Sequence, residues 1–377
     1  MRKPAGRFLK TFLLGLAGVF ALVLAVTLAI DPYGLSPLHP DLGSLNATRL
    51  ERKQLDRMIK PIEAIERQPR TLLIGTSRVR QGFDPDDFAD MDLAPVYNLG
   101  INFSSLTESI VLLEAILPFL PSVETIVFEF NFVHYYFPAV PKNLPTDWAD
   151  LLHDGATAFL SVDALAASVR TVLGNRSYFD FPLRIEADGM MVQAPNMIPG
   201  DIENFYTNVV APGRRWTAGS QQRDMLGRLR EICDRYGIHC IFAVLPYLPA
   251  DLAYYDMIGN WPALVASKRD VMQHFPVLDL TMYNRITTEP LSGQMAYWTD
   301  VNHFTPLVGS YIADRLAGRE NPEIPENFGI WLTEDNFEAR MAEWQDGLEA
   351  WKAANPEPLR RIRETIDRKA KAAAATN

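Results

Sequence analysis

Three short stretches carry residue types that together suit acyl transfer. The first is Ile74-Gly75-Thr76-Ser77-Arg78, where an apolar run ends in a glycine and a serine follows two residues later. A serine hydroxyl is a weak nucleophile unless a base sits within hydrogen-bond reach. The second is Trp298-Thr299-Asp300-Val301-Asn302-His303, just before Pro306. There Asp300 stands three residues ahead of His303, where a carboxylate can hold an imidazole in one tautomer and stabilise the imidazolium that forms. The third is a pair of strand ends, Asn98-Leu99-Gly100 and Phe130-Asn131. These are able to offer a backbone amide and a side-chain amide to a developing oxyanion. Taken singly, each has an ordinary reading: a strand-end serine is usually a turn or a helix cap, and an Asp-x-x-His spacing is common by chance.

The other histidines are less well placed. His39 falls in a Pro-rich stretch, His239 opens an apolar run, and His153 and His274 have no carboxylate spaced to orient them. His134 follows a strand end and stays a second candidate base. No metal centre is expected, because Asp300 and His303 are too few ligands and Cys233 and Cys240 have no histidine spacing to complete a zinc site. No cofactor motif is found. The two cysteines suit either a disulfide in an oxidising compartment or two buried thiols.

The elements needed to bring these stretches together are legible as periodicity. Apolar runs at 71–74, 96–100, 125–130, 238–245 and 277–280 read as strands. Between and after them lie amphipathic patterns: a helix opened by the capping box Ser105-Leu106-Thr107-Glu108, one over 219–236 closed by Gly237, and one over 306–317. Short apolar strands alternating with helices predict an α/β fold with a mostly parallel sheet, whose ligand site lies beyond the carboxyl ends of the strands. Residues 132–218 fit this pattern poorly and read as an insertion that either roofs the site or is a plain excursion. Beyond Asn327, Phe337, Met341, Trp344, Leu348 and Trp351 form an apolar seam for packing on the main domain or on another subunit. The basic segment from Arg360 to Lys371 reads as a solvated helix end.

At the N-terminus Arg2, Lys3, Arg7 and Lys10 precede an uncharged run from Thr11 to Ile30. That is close to the ~20 residues needed to span a bilayer, and basic residues ahead of it predict a cytoplasmic N-terminus. The run is longer than the apolar part of a usual cleaved signal peptide, so an uncleaved anchor is expected. Residues 31–46 read as a linker, and 47–67 as a juxtamembrane helix containing Pro61. The net charge of −10, from 36 Lys plus Arg against 46 Asp plus Glu, argues against nucleic acid as a partner.

The order serine, glycine, asparagine, then Asp-x-x-His resembles the SGNH (GDSL-like) hydrolase superfamily, over roughly residues 70–318. Within it the chain is similar to membrane-anchored proteins that modify envelope polysaccharides. The resemblance implies a three-layer α/β/α fold of the SGNH or flavodoxin-like kind. It implies Ser77 as nucleophile, His303 as base, Asp300 as its orienter, and an oxyanion hole of the Ser77 amide, the Gly100 amide and the Asn131 side chain. Thr76 stands where the family has an aspartate, and Glu129-Phe130-Asn131-Phe132 lacks the usual Gly-x-Asn-Asp context. Arg78 is either a contact for an anionic glycan or phosphate, or a structural ion pair.

The organisation expected is then an anchor with a cytoplasmic stub (1–35), a linker and juxtamembrane helix (36–69), an SGNH-like domain (70–318) with its insertion (132–218), and a helical tail (319–377). The expected function is a periplasmic, single-pass serine esterase or O-acyltransferase on the inner membrane. Its partners would be an envelope polysaccharide or acyl-bearing glycan and a membrane protein of an acyl-transfer system, with O-acetyl as the acyl group. The alternative is a catalytically silent scaffold or glycan-binding subunit.

Overall fold

A computed structural model describes residues 3–38, 40–47, 49, 55–88, 92–136, 144, 148–176, 183–185, 189–193, 208–217, 219–290 and 295–376. In chain order the first elements are α1 (Lys3–Ile30), α2 (Asp56–Arg67), β1 (Thr71–Ile74), α3 (Ser77–Gly82), β2 (Val96–Asn98), α4 (Leu106–Ile116), β3 (Thr125–Glu129), α5 (Phe132–Tyr136), α6 (Trp148–Leu160) and α7 (Val162–Arg176). There follow β4 (Leu183–Ile185), β5 (Met191–Gln193), α8 (Ser220–Tyr236), β6 (His239–Val244), α9 (Pro249–Met257), α10 (Trp261–Met272), β7 (Val277–Asp279), α11 (Pro306–Leu316), β8 (Ile330–Leu332), α12 (Phe337–Ala354) and α13 (Pro356–Thr376). They gather into two compact units, and these cut across the segments expected from sequence. One comprises Met1–Arg67, Asn143–Ala187 and Met191–Gln193; the other comprises Gln68–Lys142, Asp188–Met190 and Ala194–Asn377.

In the first unit, Gly6–Ile30 of α1 is long and apolar enough to cross a membrane, with a mean hydropathy of 2.7. Its end is tied down by Thr27 Oγ1, which donates to the Phe159 carbonyl at 2.7 Å. The stretch expected as a plain linker is instead folded on itself. Asp31 Oδ1 accepts the Ser36 amide at 2.9 Å, and the Asn46 side chain donates to the Ile30 and Pro40 carbonyls at 3.2 and 2.9 Å. Two short polar side chains thus supply the partners that a Pro- and Gly-rich turn cannot find in regular structure. Tyr33, Leu35, Ile59, Ala158, Ala164 and Ala167 pack as the small core of this unit. Of the helix expected over 47–67, α2 covers 56–67 with Pro61 inside it, while residues 48 and 50–54 lie outside the described residues. His39 lies outside them too.

The second unit holds a six-stranded sheet in the order β2-β1-β3-β6-β7-β8. The five strands expected from sequence are all present and run parallel; β8, which was not expected, closes the edge antiparallel to β7. Strands β1, β3 and β7 are buried at every residue, as a parallel sheet covered on both faces requires. The strand order reverses between β1 and β3, the kind of switch point that opens a crevice at the carboxyl edge.

Helix α4 is capped by Ser105, whose hydroxyl accepts the Glu108 amide at 3.1 Å. Helix α8 ends at Gly237 in the left-handed conformation, φ +66°. Cys233, on α8, and Cys240, on β6, form a disulfide. The apolar seam packs within this same unit: Phe337, Met341, Trp344 and Leu348 are buried, and the Trp344 ring lies 4.2 Å from Trp261 and 6.1 Å from Phe132.

The stretch read as an insertion is divided between the two units. Within it lie two helices, α6 and α7, parted at Ser161. Gly189 has φ +90° between the antiparallel β4 and β5.

Candidate active site

Ser77 is the first residue of α3, delivered to the carboxyl edge of the sheet by β1. Thr76 caps that helix, its hydroxyl accepting the Arg78 amide at 3.2 Å. His303 arrives from a loop 226 residues further on, and its Nε2 lies 2.8 Å from Ser77 Oγ. On the other side of the ring, Nδ1 lies 2.7 Å from Asp300 Oδ2 and 3.0 Å from Oδ1.

The Asp-x-x-His spacing has a local cause. Asp300 Oδ1 accepts the amides of Asn302 and His303, each at 2.8 Å, an Asx-type turn that sets carboxylate and imidazole side by side. Trp298 bridges Phe304 across the base of the loop, and its indole N–H donates to the Ile286 carbonyl at 2.8 Å. Burial raises the Asp300 carboxyl, but the His303 ring and the two amides outweigh it and hold the group below its ordinary value. Asp300 therefore stays ionised and accepts the Nδ1 proton, leaving the Nε2 lone pair facing the serine hydroxyl.

Two close contacts seat the histidine loop on the serine helix. The Phe304 ring stands edge-on to Phe83 at 5.9 Å, and both are buried. One turn into α11, Gly309 lies so near α3 that a Cβ there would fall 1.7 Å from the Gly82 carbonyl oxygen. Only glycine permits that approach.

Arg78, expected as either a substrate contact or a structural pair, is structural. It is 1% exposed and does not line the cavity beside the serine. Its Nη1 lies 3.8 Å from Glu129 Oε1, its Nε donates to the Asn302 carbonyl at 3.1 Å, and its Nη2 donates to the Pro246 carbonyl. The guanidinium also stacks 4.6 Å from the Tyr247 ring centroid. Carboxylate, carbonyls and an aromatic ring thus surround the buried guanidinium.

Glu129 was not singled out in the sequence, although an acid in the apolar run Thr-Ile-Val-Phe-Glu-Phe was a usable signal. Its Oε2 accepts the Thr76 amide at 2.7 Å and its Oε1 accepts Asn131 Nδ2 at 3.2 Å. One buried carboxylate thus joins the ends of β1 and β3. Asn131 Oδ1 in turn accepts the Val133 and His134 amides.

Asn131 lines the cavity with Ser77 and His303, but Gly100 does not. The Gly100 amide donates to Asn98 Oδ1 at 3.0 Å, and its Cα is packed so closely on Arg80 that a Cβ would lie 2.5 Å from the Arg80 nitrogen. From that loop it is Asn102 and Phe103 that reach the cavity. His134 lines it too. Its Nδ1 donates to the Ser104 carbonyl at 2.5 Å, and burial holds the ring below its ordinary value, against the pull of Glu129 and that carbonyl. Among the described residues its ring bonds to that carbonyl and not, as the His303 ring does, to a carboxylate. Among the described residues no group of three His, Cys, Asp or Glu side chains is arranged to hold a metal ion.

No protein-family model and no curated protein matches this chain.

Proposed function

We propose that the chain is a membrane-anchored serine esterase or O-acyltransferase of the SGNH kind, acting on the acyl esters of an envelope glycan, with O-acetyl as the acyl group. The observation that carries the reading is the relay Ser77 Oγ–His303 Nε2 at 2.8 Å and His303 Nδ1–Asp300 Oδ2 at 2.7 Å. In this reading His303 takes the serine proton as Oγ attacks the ester carbonyl, and Asp300 steadies the imidazolium. The histidine then protonates the leaving alkoxide. Water or a sugar hydroxyl resolves the acyl-serine through the same base. The oxyanion is met by the Ser77 amide, in the first turn of α3, and by Asn131 Nδ2, which has a second N–H beyond the one given to Glu129.

The strand order 2-1-3 followed by the two later parallel strands supports a flavodoxin-like, three-layer SGNH fold. The apolar α1 supports a single-pass anchor in the cytoplasmic membrane, and the Cys233–Cys240 disulfide supports a periplasmic α/β unit.

A second reading, a catalytically silent glycan-binding subunit working with a membrane protein of an acyl-transfer system, is favoured by the internal bond of the Gly100 amide, which leaves the oxyanion site one donor short. A fluorophosphonate probe separates the two. Covalent labelling at Ser77, lost in Ser77→Ala and His303→Ala along with release of acetate from a chromogenic ester, supports the enzyme. An unlabelled, folded protein supports the silent subunit.

A further inference from the structure

The cavity beside Ser77 has about 170 Å³ of space, against the roughly 150 Å³ that accepts a benzene ring, so it has room for one six-membered ring. Two of its lining residues, Gln81 and Asp251, carry polar groups that the relay does not use. Gln81 and Asp251 are 8% and 7% exposed; among the described residues Gln81 Oε1 and Asp251 Oδ1 meet no hydrogen-bond donor, while the Tyr255 hydroxyl bonds elsewhere on the Asp251 carboxyl. A buried acceptor left without a donor carries a desolvation penalty of roughly 1–3 kcal/mol, which a ligand hydroxyl relieves once the side chain turns to meet it. Burial pushes the Asp251 carboxyl up to about 7, against the opposing pull of the Tyr255 hydroxyl and Arg78, so near neutrality it both gives and accepts hydrogen bonds.

At the same cavity stands Phe103, 73% exposed and held at φ +54°, a left-handed conformation that a bulky side chain rarely adopts. Strain of this kind clusters at ligand sites. The ring offers an apolar face beside buried oxygen acceptors, the pairing that suits a sugar ring with its alternating C–H and O–H surfaces. Among the described residues no Lys or Arg lines the cavity. A uronate or phosphate would therefore enter beside Asp251 with no lysine or arginine in the described wall to pair with it.

We propose that Gln81, Asp251 and Phe103 form the seat for one uncharged pyranose ring next to Ser77, an inference that rests on the acyl-ester reading above and narrows its glycan to a neutral one.

The test uses the full-length Ser77→Ala protein in detergent, titrated calorimetrically with cellotetraose, xylotetraose and mannotetraose, with the tetramers of galacturonate and mannuronate, and with a glucosamine tetramer. The expected result is that at least one neutral tetramer binds tenfold or more tightly than either uronate. Phe103→Ala, a surface change that leaves the core untouched, should then weaken that binding at least fivefold. Equal or tighter uronate binding, preference for the amine, indifference to Phe103→Ala, or no neutral binding at all would each overturn the seat. Probe labelling of wild-type Ser77 is scored separately. Labelling without sugar binding removes the seat alone, whereas sugar binding without labelling removes the enzyme and leaves the seat.

Discussion

Arg78 Nε donates to the carbonyl oxygen of Asn302 at 3.1 Å, so the residue after the serine holds the residue before the histidine. The same guanidinium faces Glu129, whose carboxylate carries the Thr76 amide and the Asn131 side chain. One buried ion pair therefore connects the ends of β1 and β3 with the histidine loop.

Removing one partner of such a pair leaves the other charge buried and uncompensated. Arg78→Met is expected to lower stability by about 3–5 kcal/mol, and Glu129→Gln on the same chain to recover part of it. Urea unfolding of the singles and the double measures this. A loss below about 1 kcal/mol in Arg78→Met would show that the pair does not hold the loop.

Asp300→Asn keeps the size of the side chain but removes the carboxylate that fixes the His303 tautomer. Ester turnover is expected to fall by roughly 10³–10⁴-fold, as in triads that lose their acid, with little change in fold. Turnover within a factor of ten of wild type would mean that Asp300 does not orient the base.

Gly309→Ala places a methyl group on the Gly82 carbonyl and forces α11 away from α3. The expected costs are about 1–3 kcal/mol in stability and on the order of 10²-fold in turnover, because serine and histidine ride on the two sides of that contact. Thermal melts and ester kinetics on the same sample check both. Unchanged kinetics beside a lowered Tm would show that the separation is not transmitted to the relay.

Asp251 gives a stability prediction with a definite sign. Its carboxyl sits at about 7 in the fold, chiefly through burial, against 3.8 for the ordinary side chain. The folded state thus keeps a proton that the unfolded chain releases, and this contribution is complete below about pH 4 and lost as the pH rises through 7. The loss is at most roughly 4 kcal/mol, from 1.36 kcal/mol per unit. Asp251→Asn, which cannot ionise, should therefore gain stability relative to wild type on going from pH 4 to pH 8. Paired melts across that range settle it; a flat or falling difference would contradict the buried-acid reading.

Much of this molecule was legible without coordinates because its signals are local. A short apolar run of four to eight residues marks a buried parallel strand, and all five such runs are in the sheet. The spacing from Asp300 to His303 is closed by a three-residue turn, so it too is written in neighbouring residues. The short edge strand β8 was missed because three residues beside a helical seam carry too little periodicity to register.

The amino-acid sequence alone determined the five parallel strands, that serine, asparagine and histidine follow strand or loop ends in that order, and that the first helix is apolar enough for a bilayer. Only the tertiary structure decided that Ser77 and His303 lie within one hydrogen bond. It likewise buried Arg78 as a clamp, engaged the Gly100 amide with Asn98, and turned Phe103 and Asp251 toward one cavity. The physical reason is range: hydrophobic periodicity and turn chemistry act over a few residues, whereas these relations are set by which strands pair and which helices are allowed to touch.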